Sequence, residues 1–166
     1  MAQQKSIRDL LIEELRDIYH AEKQALRAYP KLIRKVSNDK LKQAFQTHAE
    51  QTEGQIERLQ QVFEKLGVAA RGKMCHAMEG LVEEAKEMME EDLPPELLDA
   101  ALIGAAQKME HYEIASYGTV RAYAEALGEQ DVAKLLQETL DEEKQTDELL
   151  NKIAVGDVNK KAMKAA

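Results

Sequence analysis

The stretch MEHYEIASYG, residues 109–118, indicates the fold most specifically, because it carries Glu110 and Glu113 into a segment that otherwise predicts a buried helix. It directly follows LLDAALIGAAQK, residues 97–108, an apolar run that should be buried. An ionised carboxylate is costly to bury unless it is paired, protonated or bound to a metal ion. The acids in this stretch therefore call for partners inside a helical core.

The composition of the whole chain favours an all-α protein. Of its 166 residues, 44% are hydrophobic and 33% are charged, and there are only 3 prolines and 8 glycines. The strong helix formers alanine, leucine, glutamate, lysine and glutamine dominate. A chain of this length forms one domain with a substantial core.

Charge and hydropathy exclude two classes of partner. The net charge of −8 disfavours nucleic acid, because duplex binding relies on lysine and arginine to neutralise phosphates. The longest apolar run, AALIGAA at residues 100–106, is too short to span a bilayer, so we expect no membrane association. A single cysteine, Cys75, rules out an internal disulfide and fits a cytoplasmic location.

Hydrophobic residues recur at helical spacing in five segments that turn signals separate. Gly67 and Gly128 punctuate the ends of helices, and Pro95 suits the first turn of the next one. The predicted helices span about residues 6–36, 39–66, 76–91, 95–127 and 129–154. The basic end, NKKAMKAA at residues 159–166, is predicted to be a short frayed tail.

The helices form two hairpins joined by a long connection. The hairpins span about residues 6–66 and 95–154, and the crossover contains the helix at about 74–91. One long crossover between two antiparallel hairpins is the connectivity of a ferritin-like four-helix bundle. The additional short helix should pack across the outside or an end of this single domain.

The two hairpins also resemble each other, which suggests an internal repeat. The pattern His-x-Glu occurs at residues 20–22 and again at residues 111–113, an offset of 91. In the second helix of each hairpin, Glu53 matches Glu143 at an offset of 90.

The acids of the first and fourth predicted helices can be placed relative to the apolar stripes, because an α-helix turns about 100° per residue. Glu22 falls near the centre of its stripe. Glu113 falls within its stripe, and Glu110 lies on the flank beside it. The two hairpins therefore each aim a glutamate at the core.

The other two bundle helices add further polar groups. On the last helix Glu142 falls inside the apolar face and Glu143 on its flank. On the second helix Glu53 lies at the edge of the stripe. The inward polar residues of that helix are His48, Thr52 and Gln55. The apolar face of the last helix is formed by Leu135, Thr139, Thr146, Leu149 and Ile153.

This pattern allows two interpretations. Carboxylate and imidazole ligands suit iron and manganese, so a metal pair could neutralise the acids. Alternatively, the acids could form a metal-free polar layer or lie at a dimer interface. His20 and His111 lie off their stripes and are predicted to be on the surface, and the neighbouring Cys75 and His76 have no second pair of ligands.

The sequence closely resembles the YciE/YciF-type ferritin-like stress proteins of bacteria, over nearly its whole length. The segments that carry the resemblance are LRDIYHAEKQAL (15–26), AFQTHAEQTEGQIERL (44–59), AALIGAAQKMEHYEIASYGT (100–119) and LLQETLDEEKQTD (135–147). The resemblance implies a cytoplasmic ferritin-like bundle with an extra helix, assembled as a homodimer and associated with stress responses.

The wider ferritin and rubrerythrin superfamily implies a dinuclear iron site, with one Glu on two helices and Glu-x-x-His on the other two. By this resemblance Glu22 matches the first-helix glutamate, and Glu110 with Glu113 resembles the paired glutamates of rubrerythrin's third helix. Glu53 and Glu143 match the Glu-x-x-His glutamates, but Ile56 and Thr146 stand where the histidines would be.

Two hypotheses follow. In the first, iron or manganese forms a dinuclear centre, and its ligands come from Glu22, Glu53, Glu110, Glu113, Glu142, Glu143 and His48. In the second, the protein is metal-free and works as a structural or interaction homodimer with a stress-response partner. The missing histidines motivate the second hypothesis, and neither names a substrate or reaction.

Overall fold

The computed structural model describes residues 5–165, and its five main helices agree with the predicted segments to within one or two residues at each end. We number them α1 (Ile7–Lys35), α2 (Asp39–Lys65), α3 (His76–Glu90), α4 (Pro95–Ala126) and α5 (Gln130–Ile153). None of the helices in the described part of the chain is long and apolar enough to cross a membrane.

Local sequence signals fix the helix ends. Ser6 caps α1 through a reciprocal box with Asp9, and the Asn38 side chain accepts a hydrogen bond from the Leu41 amide at the start of α2. Gly67 and Gly128 follow α2 and α4 with φ of 69° and 75°, a conformation that glycine adopts without strain. These ends define the two predicted hairpins.

The crossover helix α3 packs against α1 and α4 on the outside of the bundle, as predicted. Its preceding loop is tied to α1, because the Lys73 amide donates to the Arg16 carbonyl (3.0 Å) and the Cys75 amide to His20 Nδ1 (3.3 Å). Gln24 Nε2 donates to the Cys75 carbonyl (2.9 Å). His20 was predicted on the surface, but the loop covers it and leaves it half-buried.

The first residue before α3 is Cys75, whose side chain is fully buried. Its sulfur accepts a hydrogen bond from the Met78 amide (3.4 Å) and lies 3.0 Å from the Tyr112 hydroxyl. Tyr112 in turn donates to Asp17. Through the bond from Met78, Cys75 caps the start of α3. Burial raises the pKa of its thiol, as is usual for a structural cysteine.

The C-terminal segment differs from its prediction as a frayed tail. After α5 the chain continues through a π-helical turn, Ala154–Val158, into a short helix α6, Asn159–Ala162. Val158 and Ala162 are buried, and both elements pack on α4. The prediction gave more weight to the basic residues of the tail than to Val158 and Ala162. These two apolar residues continue the buried face of α5.

The core of the bundle is divided at mid-height. One apolar cluster holds Ile18, Leu59, Tyr117 and Leu140, and the other holds Ala25, Phe45, Met109 and Leu150. On each of the four long helices, buried polar side chains lie where the two clusters meet. This polar layer consists of Glu22, His48, Thr52, Gln55, Glu110, Glu113, Thr139, Glu143 and Thr146.

Candidate metal centre

Four side chains of the polar layer converge on one point. His48 comes from α2, Glu110 and Glu113 from α4 and Glu143 from α5, and one ligand atom from each lies within 4.8 Å of all the others. Each side chain is at most 2% exposed. Such a group of imidazole and carboxylate ligands can hold a metal ion.

The His48 ring is oriented from both sides. Its Nδ1 lies 3.0 Å from the Thr146 hydroxyl and 3.3 Å from Gln51 Oε1. Its Nε2 lies 3.1 Å from Glu110 Oε1 and 3.5 Å from Glu143 Oε2. The partners of Nδ1 thus direct Nε2 at the carboxylates, which is the arrangement that a ligating histidine requires.

Two buried tyrosines hold the carboxylates from outside. Tyr117 donates its hydroxyl hydrogen bond to Glu22 Oε1, and Tyr29 donates to Glu110 Oε1 at 3.1 Å. Glu22, on α1, is completely buried. It therefore adds a fifth ionisable group to the layer, and each of the four bundle helices contributes at least one residue.

The carboxylates cannot all ionise without a compensating positive charge. Burial, together with the charge of Glu143, raises the pKa of Glu22 to about 8, and burial raises that of Glu110 to about 7. The pKa values of Glu113 and Glu143 lie well above the ordinary range, through burial first and then through neighbouring carboxylates. The layer must hold either protons or a cation.

Unsatisfied polar atoms concentrate in the same place. Nine buried side-chain nitrogen and oxygen atoms within residues 5–165 have no hydrogen-bond partner, and seven of them belong to the polar layer. The residues that carry the seven atoms are Glu22, His48, Gln55, Glu110, Glu113 and Glu143. Folded proteins leave few such atoms unpaired, so the residues present fit a bound cation.

The structure brings together five of the predicted site residues and separates two. Glu22, Glu110, Glu113, Glu143 and His48 all lie in the polar layer. Glu53 is exposed, and Glu142 is half-buried outside the layer, where its carboxylate pairs with Arg58 at 3.0 Å.

The positions of Glu142 and Glu143 are the reverse of the prediction. The predicted face of the last helix relied on Leu149, which is 44% exposed, whereas the neighbouring Leu150 is 1% exposed. The buried face of α5 is therefore rotated by about one residue. Leu136 and Leu140, one turn apart, are the signal that would have placed Glu143 inside.

The flank position predicted for Glu110 was also wrong, since this side chain has no exposed surface. The cause is that α4 packs against α1, α3 and α5 and is buried over most of its circumference. A helix that is apolar nearly all round, as LLDAALIGAAQK indicates, buries its flanks as well.

The exposed position of Glu53 corrects the repeat. With one offset of 91 throughout, Glu22 matches Glu113, Thr52 matches Glu143, and Gln55 matches Thr146. All of these residues are buried, whereas Glu53 is exposed and Ile56, three residues later, is half-buried. The expected histidine positions are therefore Gln55 and Thr146, rather than Ile56 and Thr146.

The helix order and the buried layer of carboxylates define the class of protein, a ferritin-like four-helix bundle. The chain belongs to the family described as "Domain of unknown function (DUF892)", which it matches over residues 6–163. It is 55% identical over 159 residues to protein YciF of Escherichia coli strain K12, covering 95% of this chain and 96% of that one.

Solved structures agree with this assignment. The crystal structure of the E. coli stress protein YciF matches with a TM-score of 0.90 at 54% identity, over 95% of this chain and 99% of that one. YcfI from Rhodopseudomonas palustris matches with a TM-score of 0.89 at 45% identity, over 93% and 99% of the two chains. The protein is thus a homologue of the stress protein YciF, and the predicted family is confirmed.

Proposed function

We propose that this protein is a metal-binding member of its family and holds a dinuclear iron or manganese centre in the polar layer. The ligands are His48, Glu110, Glu113 and Glu143, with Glu22 completing the set. The observation that carries the proposal is the concentration of seven unsatisfied buried atoms at one level of the bundle. Two divalent cations would satisfy the six of these atoms that belong to the ligand set and would remove the repulsion between the acids.

The protein residues have separable tasks in this proposal. A bound redox-active ion would supply one-electron chemistry towards oxygen or peroxide. Tyr29 and Tyr117 fix the orientation of Glu110 and Glu22 through their hydrogen bonds. The two apolar clusters above and below the layer exclude water, and the carboxylates exchange their protons for the ion.

Metal loading tests the proposal. The full chain, purified without a metal-binding tag and loaded with iron or manganese, should retain two ions per chain. Glu113→Gln should weaken binding by about a hundredfold or more, because a ligand matters at least as much as the outer-shell groups that orient it. The matched control, Glu53→Gln, changes an exposed glutamate and should bind as the wild type does.

Metal content is read by mass spectrometry of the desalted protein, and thermal denaturation confirms that each variant folds. Retention of less than one ion per chain by the wild type, or equal retention by Glu113→Gln, would contradict the proposal.

A second candidate function is that of a metal-free homodimer, and the charges beside α3 favour dimer formation. The groove between α1 and α3 is basic, and its cations are Arg27, Lys31 and Lys86. The groove between α3 and α4 is acidic on balance, since Glu84, Glu87 and Glu91 face one cation, Lys108, which lies 3.9 Å from Glu84. A two-fold axis near α3 would set each basic groove against the partner's acidic one.

Charge reversal tests the dimer. Arg27→Glu combined with Lys31→Glu should weaken self-association at least tenfold in analytical ultracentrifugation, since it places like charges together. Adding Glu84→Lys and Glu87→Lys should restore association, and Lys134→Glu, at an exposed position of α5, serves as the control. A monomeric wild type, or a dimer indifferent to the reversal, would refute the arrangement.

The two candidates differ in what cells require. If the protein acts only as a homodimer that binds a stress-response partner in the cytoplasm, Glu22→Gln and Glu113→Gln leave the phenotype intact while charge reversal abolishes it. Loss of the phenotype in the folded Gln variants favours the metal centre. The single buried Cys75 is compatible with the reducing cytoplasm in either case.

A further inference from the structure

Among the described residues of the polar layer that lie outside the ligand set, Gln55 is the one with an unpaired side-chain atom. It has no exposed surface and lies on the face of α2 that also carries His48 and Thr52. Its Nε2 donates to Glu142 Oε2 at 3.0 Å. Its Oε1 is buried and receives no hydrogen bond from any group within residues 5–165.

An ion pair at the edge of the bundle determines the orientation of this amide. The Arg58 guanidinium contacts both Glu142 oxygens, at 3.0 and 3.2 Å, and donates to the Thr139 hydroxyl at 2.6 Å. The Glu142 carboxylate can only accept, so the Gln55 atom that faces it must be the NH₂ group. The carbonyl oxygen therefore points away from this pair and stays in the buried interior.

The corresponding residue in the other hairpin has a different task. Thr146 matches Gln55 at the offset of 91, but its hydroxyl lies against His48 Nδ1 at 3.0 Å. Thr146 therefore orients a ligand. Gln55 keeps an unpaired oxygen, and by the offset of 91 it matches Thr146, which stands where the superfamily pattern has a histidine.

We infer that Gln55 is a neutral oxygen ligand of the metal centre and that the Glu142–Arg58 pair is its positioning device. The inference rests on the proposed metal-binding function. A carbonyl oxygen favours manganese over zinc when compared with an imidazole, because imidazole binds zinc well whereas carboxylate and carbonyl oxygens suit manganese. Gln55 therefore helps set which ion the site prefers.

The test measures manganese and zinc affinities of the full chain by competition with a fluorescent chelator. Gln55→Leu should weaken manganese binding by about tenfold to a hundredfold, and Gln61→Leu, an exposed change on the same helix, should leave it unchanged. Gln55→His should raise the zinc-to-manganese affinity ratio by at least about tenfold.

The positioning role of Glu142 has its own readout. Glu142→Ala should weaken manganese binding by less than Gln55→Leu does, and the double variant should bind no more weakly than Gln55→Leu alone. Additive effects would show that Glu142 does not act through Gln55.

The outcomes separate this inference from the function on which it rests. A wild type that binds neither ion overturns the metal centre itself. A wild type that binds manganese while Gln55→Leu binds equally well overturns only the role of Gln55. If Gln55→Leu fails to fold, an unchanged zinc-to-manganese ratio in folded Gln55→His overturns it instead.

Discussion

Raising the pH from about 5 to about 8 should destabilise the metal-free protein markedly. Glu22 and Glu110 have folded-state pKa values raised to about 8 and about 7, above the value of 4.5 for an exposed glutamate. In this window the folded state holds protons that the unfolded state has lost. The free energy of unfolding therefore falls as the pH rises, by about 1.4 kcal/mol per pH unit for each retained proton.

Chemical denaturation of the metal-free protein at a series of pH values measures this slope. The pKa values of Glu113 and Glu143 are also raised well above the ordinary value, so these side chains add to the decline. Metal binding should release these protons and tighten with rising pH, so that saturating manganese flattens the curve. A metal-free protein whose stability is constant or rising between pH 5 and 8 would rule out a protonated carboxylate layer.

Glu143→Gln should make the metal-free protein more stable at pH 8 and abolish metal binding. Both oxygens of Glu143 lack a hydrogen-bond partner within the described residues. Glutamine has the same shape but no charge, and its NH₂ group can donate to Glu110 or Glu113. At pH 8 the folded protein must keep a proton on Glu143 that the unfolded chain has lost, and glutamine removes this cost, so the free energy of unfolding should rise by about 1–4 kcal/mol.

The matched control for this change is Glu148→Gln, since Glu148 is exposed on the same helix. Denaturant titration at pH 8 without metal measures the gain, and equilibrium dialysis with manganese measures the loss of binding. A folded Glu143→Gln variant that is no more stable than the wild type at pH 8, or that still binds metal, would refute the assignment. Stability sacrificed at one residue is typical of a functional site.

The helices and their connectivity followed from the sequence because the signals were local and mutually consistent. Ser6, Asn38, Gly67 and Gly128 mark helix ends by their own hydrogen bonds or backbone angles. The long connection with its own helix then permits one arrangement of two hairpins. The resemblance to a known family led independently to the same bundle.

The site was only partly predictable because its composition depends on how each helix is rotated in the bundle. Glu22 and Glu113 were identified since they sit at the centre of apolar stripes. Glu142 was chosen instead of Glu143 because one residue of rotation separates them, and Leu149 beside Leu150 does not reveal which of the two leucines is buried. Packing between helices decides which face of α5 is buried, and the apolar stripe of one helix does not carry this information.

The position of Gln55 required a further kind of information. Its amide is oriented by Arg58, three residues along the same helix, and by Glu142 on α5. Neither residue lies in the polar layer. The orientation of a side chain that depends on a residue of another helix can be recognised only in the assembled structure.

The buried cap at the start of α3 has a practical consequence. The chain has one cysteine, and Cys75 is sealed beneath the loop that Gln24 and His20 hold against α1. A thiol reagent can reach it only when the crossover detaches, so the rate of single-site alkylation would time that opening. The native thiol is thus a built-in probe of how fast α3 separates from the bundle.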